Sequence, residues 1–283
     1  MVCCRYLKFE YWLSSVERGR FKVSKPSDFE DDYDCVADVS GKINLQVIKK
    51  FSTLSANSLT DSAVRLLLCA GRDEVDIYEQ RQRSFANDFR HLLLRRDAMD
   101  KFLRILCFFN DSVASEDDRH KMWEKYGDNY RGVRVFVDLD KMIGGEFKDV
   151  TYTEAMLSCD LSQVDDFPIC QYLMEFYKKM VFTKLRGRWG FENEVRYILG
   201  VAEGQQRRVL FNDGDFDFIS IPFDAITCVD FGYDVNVAAC IKDVRRLVDS
   251  PLHHVEFRRM AVRSGSNSAY IPLECELTEM DSV

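Results

Sequence analysis

The stretch Trp189-Gly190-Phe191-Glu192-Asn193-Glu194-Val195-Arg196-Tyr197-Ile198-Leu199 constrains this chain more than any other segment. Val195, Tyr197, Ile198 and Leu199 favour extended backbone. Residues two apart in a strand share a face, so a strand here projects Glu192, Glu194 and Arg196 together. Two acids on one side repel each other, and that repulsion asks for a purpose. A neighbouring arginine can hold one ionised while a ligand uses the other. The plainer alternative is the solvated face of an edge strand.

At 283 residues the chain is long enough for one large domain or two modest ones. A net charge of −8 argues against a broadly basic nucleic-acid surface. It leaves room for a local groove, because Arg81, Arg83, Arg90, Arg95 and Arg96 cluster, as do Lys184, Arg186 and Arg188. The 10 cysteines show no CxxC spacing, so neither a zinc cluster nor a disulfide framework is signalled. His91, His120, His253 and His254 lack metal-ligand spacing, and no metal is expected. The opening Met1-Val2-Cys3-Cys4-Arg5 lacks the apolar run of a signal peptide, and no stretch is apolar enough to span a membrane. These features read as a reduced, cytoplasmic protein without a membrane partner.

Pattern along the chain predicts a helix near Phe9–Glu17 and a strand at Arg20–Ser24, then a break at Pro26. Residues 44–100 read as a helical insert. Strands are expected at Arg104–Phe109, Gly132–Val137, Asp149–Thr153, Arg208–Phe211, Phe218–Pro222, Ile226–Gly232 and Val255–Val262, with an edge strand at Ala269–Leu273. Helices are expected at Glu116–Tyr126, capped by Ser115 with Asp118, and at Phe167–Phe182 and Val237–Val248. No regular βαβ rhythm appears, which favours α+β over a doubly wound parallel sheet. The reading is a single α+β domain over residues 1–263 carrying the insert, with a tail at 264–283. No P-loop, glycine-rich dinucleotide fingerprint, zinc-protease motif or nucleophile elbow is present.

Several short motifs follow one another in the order of a known family. They are Arg5-Tyr6, Phe29-Glu30-Asp31-Asp32-Tyr33-Asp34, Ile105-Leu106-Cys107-Phe108-Phe109, Met122-Trp123-Glu124-Lys125-Tyr126-Gly127, Arg131-Gly132-Val133, Trp189 to Arg196, and Val229-Asp230-Phe231-Gly232. In that order they resemble the mostly bacterial family labelled domain of unknown function 2971. The sequence departs from the family pattern at Glu30, Asp32, Phe109 and Tyr130, where Asn, Pro, Ser and His are usual. Glu192-Asn193-Glu194 with its following apolar run also resembles the Glu-x-Glu strand of ADP-ribosyltransferases.

The second resemblance implies a mixed, split β-sheet core and NAD as substrate. It implies Glu194 as the catalytic acid and Glu192 as the group that orients or activates the acceptor. Arg5 would contact the NAD phosphates. Tyr6, Cys107, Phe108, Tyr126, Trp189 and Arg196 would line the same cleft, with Arg5 and Glu194 facing one dinucleotide-sized pocket. The acceptor would be a protein or a nucleic acid, the latter held by positive charge near Lys184–Arg188, in keeping with a bacterial toxin or anti-phage effector. Two other classes remain open. In a metal-dependent nucleic-acid hydrolase, Asp31, Asp34, Glu192 and Glu194 would gather a divalent ion. In a non-catalytic binding module, the acids would be structural, bridged by Arg196 and a basic neighbour such as Lys184 or Arg188.

Overall fold

The computed structural model describes residues 1–40, 96–160, 162, 169–261 and 269–272. In chain order the strands are β1 (Val2–Leu7), β2 (Arg20–Val23), β3 (Asp38–Ser40), β4 (Leu103–Phe109), β5 (Val133–Asp138), β6 (Glu146–Asp149), β7 (Thr151–Thr153), β8 (Ser158–Asp160), β9 (Thr183–Leu185), β10 (Glu194–Gly200), β11 (Leu210–Asp213), β12 (Phe216–Ser220), β13 (Ile226–Phe231), β14 (Glu256–Ala261) and β15 (Ala269–Pro272). The helices are α1 (Phe9–Arg18), α2 (Arg96–Met99), α3 (Glu116–Lys125), α4 (Ile169–Val181), α5 (Val201–Gln206) and α6 (Val237–Val248). This is the mixed α+β class that the irregular pattern predicts.

The chain divides into two compact units. The first takes Met1–Ser24, Leu103–Val150 and Gly187–Val283, and the second takes Lys25–Phe102 and Thr151–Arg186. The second unit thus recruits a segment after β6 as well as the region read as an insert. Most of 44–100, with Arg81, Arg83, Arg90 and Arg95, lies outside the described residues, as does most of the 264–283 tail. In the second unit, β3 pairs with β8 and β7 with β9, both in parallel. Arg96 there donates to the carbonyls of Phe29 and Asp31 at 2.8 Å each, so it ties the acidic loop to α2.

In the first unit an eight-stranded sheet runs β15-β14-β13-β5-β1-β4-β10-β6. Neighbours pair antiparallel except β13 with β14. Strand alternation gives the sheet two differently packed faces. Val133, Val135, Val137, Leu106, Phe108, Val195, Tyr197 and Leu199 join the larger core with Trp12 of α1 and Val244 of α6. Cys4, Tyr6 and Phe109 face the other way, into an aromatic cluster with Met122 and Trp123 of α3 and with Tyr130. Burying each such side chain contributes roughly 1.5–3 kcal/mol, which is why α3 lies flat on this face. Its start is fixed as the sequence predicts: Ser115 and Asp118 form a reciprocal capping box.

One seam is unlike the others. β1 pairs with β5 along all of Val2–Leu7, yet with β4 only at Cys4–Phe109. Beyond that point β1 and β4 part. Ser24 takes up the vacated β4 edge, exchanging backbone hydrogen bonds of 2.8 and 2.9 Å with Ile105, so those backbone groups are not left unpaired.

The predicted strand Asp149–Thr153 is corrected. Val150 interrupts it, and β6 and β7 belong to different sheets. The acid motif is corrected too. β10 begins at Glu194, whereas Glu192 closes a 3₁₀ turn (Gly187–Glu192), and Asn193 between them is left-handed at φ 37°. Glu192 therefore does not share a strand face with Glu194.

Candidate functional site

β10 sets the centre of the site. Glu194 stands opposite Phe109 and Arg196 opposite Cys107, so all four project to the aromatic face. Arg196 donates two nearly parallel hydrogen bonds to Glu194, Nε to Oε1 at 2.8 Å and Nη2 to Oε2 at 3.1 Å. Both side chains are buried, Arg196 completely. Such a fork fixes a carboxylate's orientation as well as its charge environment. Cys107 completes the group. Burial first, and then the Glu194 charge, push its thiol pKa well up, so it sits here as a neutral thiol.

Glu192 reaches the same place by a different route. The Asn193 carbonyl accepts from the Asn110 backbone N–H at 2.9 Å, and the Asn193 amide donates to Asp118 of α3 at 3.2 Å. These contacts pin the turn against the end of β4 and the start of α3. At the other end of α3, the Tyr126 hydroxyl donates to Glu192 Oε1 at 2.5 Å, and Lys125 Nζ lies 3.4 Å from the same oxygen. Tyr126 as a residue is 38% exposed while its hydroxyl turns inward to Glu192. Burial of that hydroxyl, then the Glu192 charge, drive its pKa far up. Lys125 Nζ also lies over Trp189, 3.6 Å from the ring centroid, with the Tyr126 ring at 4.6 Å.

The structure thus brings together Cys107, Tyr126, Trp189, Glu192, Glu194 and Arg196. Three other expected site residues are corrected. Phe108 is opposite Val195 and points into the larger core, because neighbouring strand residues cannot share a face. Tyr6 is on the right face but is packed edge-on against Trp123 and Phe109, with ring centroids 5.0 and 5.8 Å away. Arg5 stands opposite Val135, so it leaves β1 on the face opposite Glu194. Its guanidinium turns into the parting between β1 and β4, donating to the carbonyls of Cys107 and Lys22 at 3.2 Å each. Burial lowers its pKa there, partly offset by Cys107 and Glu194. A guanidinium spent on two backbone carbonyls is a brace for the seam, and the expected pocket faced by both Arg5 and Glu194 is not the arrangement found.

In the second unit Lys184 is buried against Asp34 at 3.6 Å, which takes it out of the expected basic groove. Asp34 is itself fully buried and next to Cys35, and Asp31 accepts from the Tyr33 backbone N–H. Among the described residues no group of three or more His, Cys, Asp or Glu side chains is placed to hold a metal ion. No described helix is long and apolar enough to cross a membrane.

Sequence reasoning missed Lys125, a basic residue in the last turn of α3, where a cation complements the helix end. It also missed a buried ionic ladder on the same sheet face. Arg134 pairs with Asp111 and Asp230 at 2.8 Å each, and Arg258 pairs with Asp230 at 2.7 Å. The signal was a charge at an inward position of each of two apolar strands, Val133-Arg134-Val135 and Val229-Asp230-Phe231.

Comparison with protein-family models, with curated proteins and with solved structures returns no match for this chain.

Proposed function

We propose that this chain is a NAD-dependent ADP-ribosyltransferase acting on a macromolecular acceptor, with Glu194 as the catalytic acid and Glu192 as the group that serves the acceptor. The observation carrying this reading is that both carboxylates lie within electrostatic reach of the Tyr126 hydroxyl, under separate control. Arg196 orients Glu194 through a fork, and Tyr126 and Lys125 hold Glu192. The parting of β1 from β4 next to this site supports a split-sheet, ADP-ribosyltransferase-like core. In the reaction the bond between ribose C1′ and the nicotinamide nitrogen breaks, and nicotinamide leaves with the bonding pair. Positive charge builds at C1′, where the fixed Glu194 carboxylate stabilises it. The acceptor nucleophile forms the new bond to C1′ and passes its proton to Glu192. Cys107 contributes a neutral wall, and Trp189 and Tyr126 contribute aromatic ones. Arg5 braces the seam in place of the phosphate contact that the resemblance implies. The acceptor is a protein or a nucleic acid, and the chemistry suits a toxin or anti-phage effector. The test is nicotinamide release from NAD by purified Glu194→Gln protein. A loss of roughly 10²–10³ is expected, the scale of losing one charge-stabilising group. Unchanged turnover refutes the assignment.

The depth of the Glu194–Arg196 pair favours a second reading, a purely structural latch in a binding module. On that reading the wild-type protein releases no nicotinamide, and Glu194→Gln simply lowers the melting temperature.

A further inference from the structure

Lys125 is held in an unusual way for a lysine at the exposed end of a helix. Its ammonium lies 3.6 Å from the Trp189 ring centroid, 4.6 Å from that of Tyr126 and 5.9 Å from that of Phe191. Glu192 Oε1 closes the fourth side at 3.4 Å. Three rings and a carboxylate form a cage for an organic cation, and an intramolecular cation fills it. The cage is open to solvent, since about a third of the Lys125 side chain is exposed, whereas the Glu192 side chain is only 6% exposed. A buried carboxylate is costly to leave without a positive partner. Exchange of one monovalent cation for another keeps the charge beside this carboxylate unchanged.

We propose that this cage is the binding site for a flat organic cation, the N-alkylated pyridinium ring of the substrate, and that Lys125 is its built-in competitor. The inference rests on the ADP-ribosyltransferase reading for the identity of the natural ligand. The ring stacks on Trp189 and Tyr126 and presents its charge to Glu192 as Lys125 swings out on its flexible stem. Cleavage of the glycosidic bond turns the pyridinium into neutral nicotinamide. The product then loses both the cation–π attraction and the carboxylate contact, and Lys125 returns to the cage. The lysine thereby weakens substrate binding and drives product release.

The probe is 1-methylnicotinamide, a cation without a glycosidic bond, so binding is read separately from turnover. Of the chain's 3 tryptophans, Trp12 and Trp123 are 2% and 1% exposed, so quenching of tryptophan emission by the probe reports Trp189. Lys125→Met keeps the stem and removes the charge. It should bind the probe about threefold tighter or more, the scale of one cation–π contact. Trp189→Leu, followed by calorimetry, should lose at least as much, with an unaltered melt showing that it remains folded. Neutral nicotinamide should bind the wild-type protein more weakly than the cation does. Equal or weaker binding by Lys125→Met overturns the proposal, as does neutral nicotinamide binding as tightly as the cation. Tighter binding by Lys125→Met in a protein that never releases nicotinamide from NAD supports the cage and removes the transferase reading alone.

Discussion

Replacing Arg196 by Met tests how the site is held together. Arg196 is fully buried, and its fork to Glu194 has contacts of 2.8 and 3.1 Å. Solvent screening, which makes exposed ion pairs nearly worthless, does not operate here. Removing one partner of a buried pair typically costs about 3–5 kcal/mol. Arg196→Met and Glu194→Met should each lose on that scale in urea unfolding. The double variant replaces both charges with apolar side chains of similar length, and such replacements are often close to neutral. Its loss should therefore fall short of the sum of the single losses by at least about 2 kcal/mol, a coupling expected of contacting residues. Additivity to within about 0.5 kcal/mol would refute the account, because the pair would then contribute nothing as a pair. Nicotinamide release separates the two functional readings in the same proteins. A double variant that regains stability without regaining activity assigns Glu194 a chemical role beyond the structural one.

Two further outcomes follow from the geometry. The Tyr197 hydroxyl donates to the carbonyls of Ile143 and Gly144 at 2.9 and 2.7 Å, and burial pushes its pKa up to about 12. Its folded value exceeds the unfolded one near 10, so its stabilisation is complete below that pH and is lost as pH rises toward about 12, by up to about 1.4 kcal/mol per pH unit; Tyr197→Phe should flatten this alkaline branch in pH-dependent unfolding. At Gly232 an added Cβ would fall 2.0 Å from the Tyr130 carbonyl oxygen, a backbone atom that cannot swing aside, so Gly232→Ala should lower stability by about 1–3 kcal/mol in thermal melts, and an unchanged melt would contradict the packing described.

The sequence was legible where local chemistry decides structure. The capping box at Ser115 and Asp118, the helical pattern over Val237–Val248 and the strand-like run after Glu194 each led to the element found. Boundaries failed where one residue changed the geometry. Val150 looks like any strand residue but ends β6, and the left-handed Asn193 separates two acids that period-two reasoning joins. Which strand neighbours face the site also depended on register. Cys107 and Phe108 are both residues that strand cores take, and only the pairing of β4 with β10 shows that Cys107 joins Glu194. The parting of β1 from β4 was not readable from residues, since it is a relation between distant segments. Arg5 illustrates the limit: an arginine near the start of the chain looks like a ligand group until its guanidinium is seen on two backbone carbonyls.

The turn at Asn193 resolves the repulsion that the acid pair poses. Had residues 192–196 formed one strand, Glu192, Glu194 and Arg196 would share a face, with two acids competing for one arginine. The left-handed residue removes Glu192 from the strand and gives it a different cation. Glu194 pairs with Arg196 from its own strand, and Glu192 pairs with Lys125 from α3. A left-handed conformation at a residue other than glycine persists only when its surroundings over-determine it. Here Asn110 and Asp118 do so, one through the Asn193 carbonyl and the other through its amide. The two counter-ions differ in depth. Arg196 is fully buried, whereas Lys125 lies at the surface on a flexible stem. A carboxylate paired with an immovable cation is suited to a fixed electrostatic task, and one paired with a movable cation is suited to exchange. That asymmetry is the physical basis for giving Glu194 the fixed electrostatic role and Glu192 the roles that need exchange, of the pyridinium charge and of the acceptor's proton.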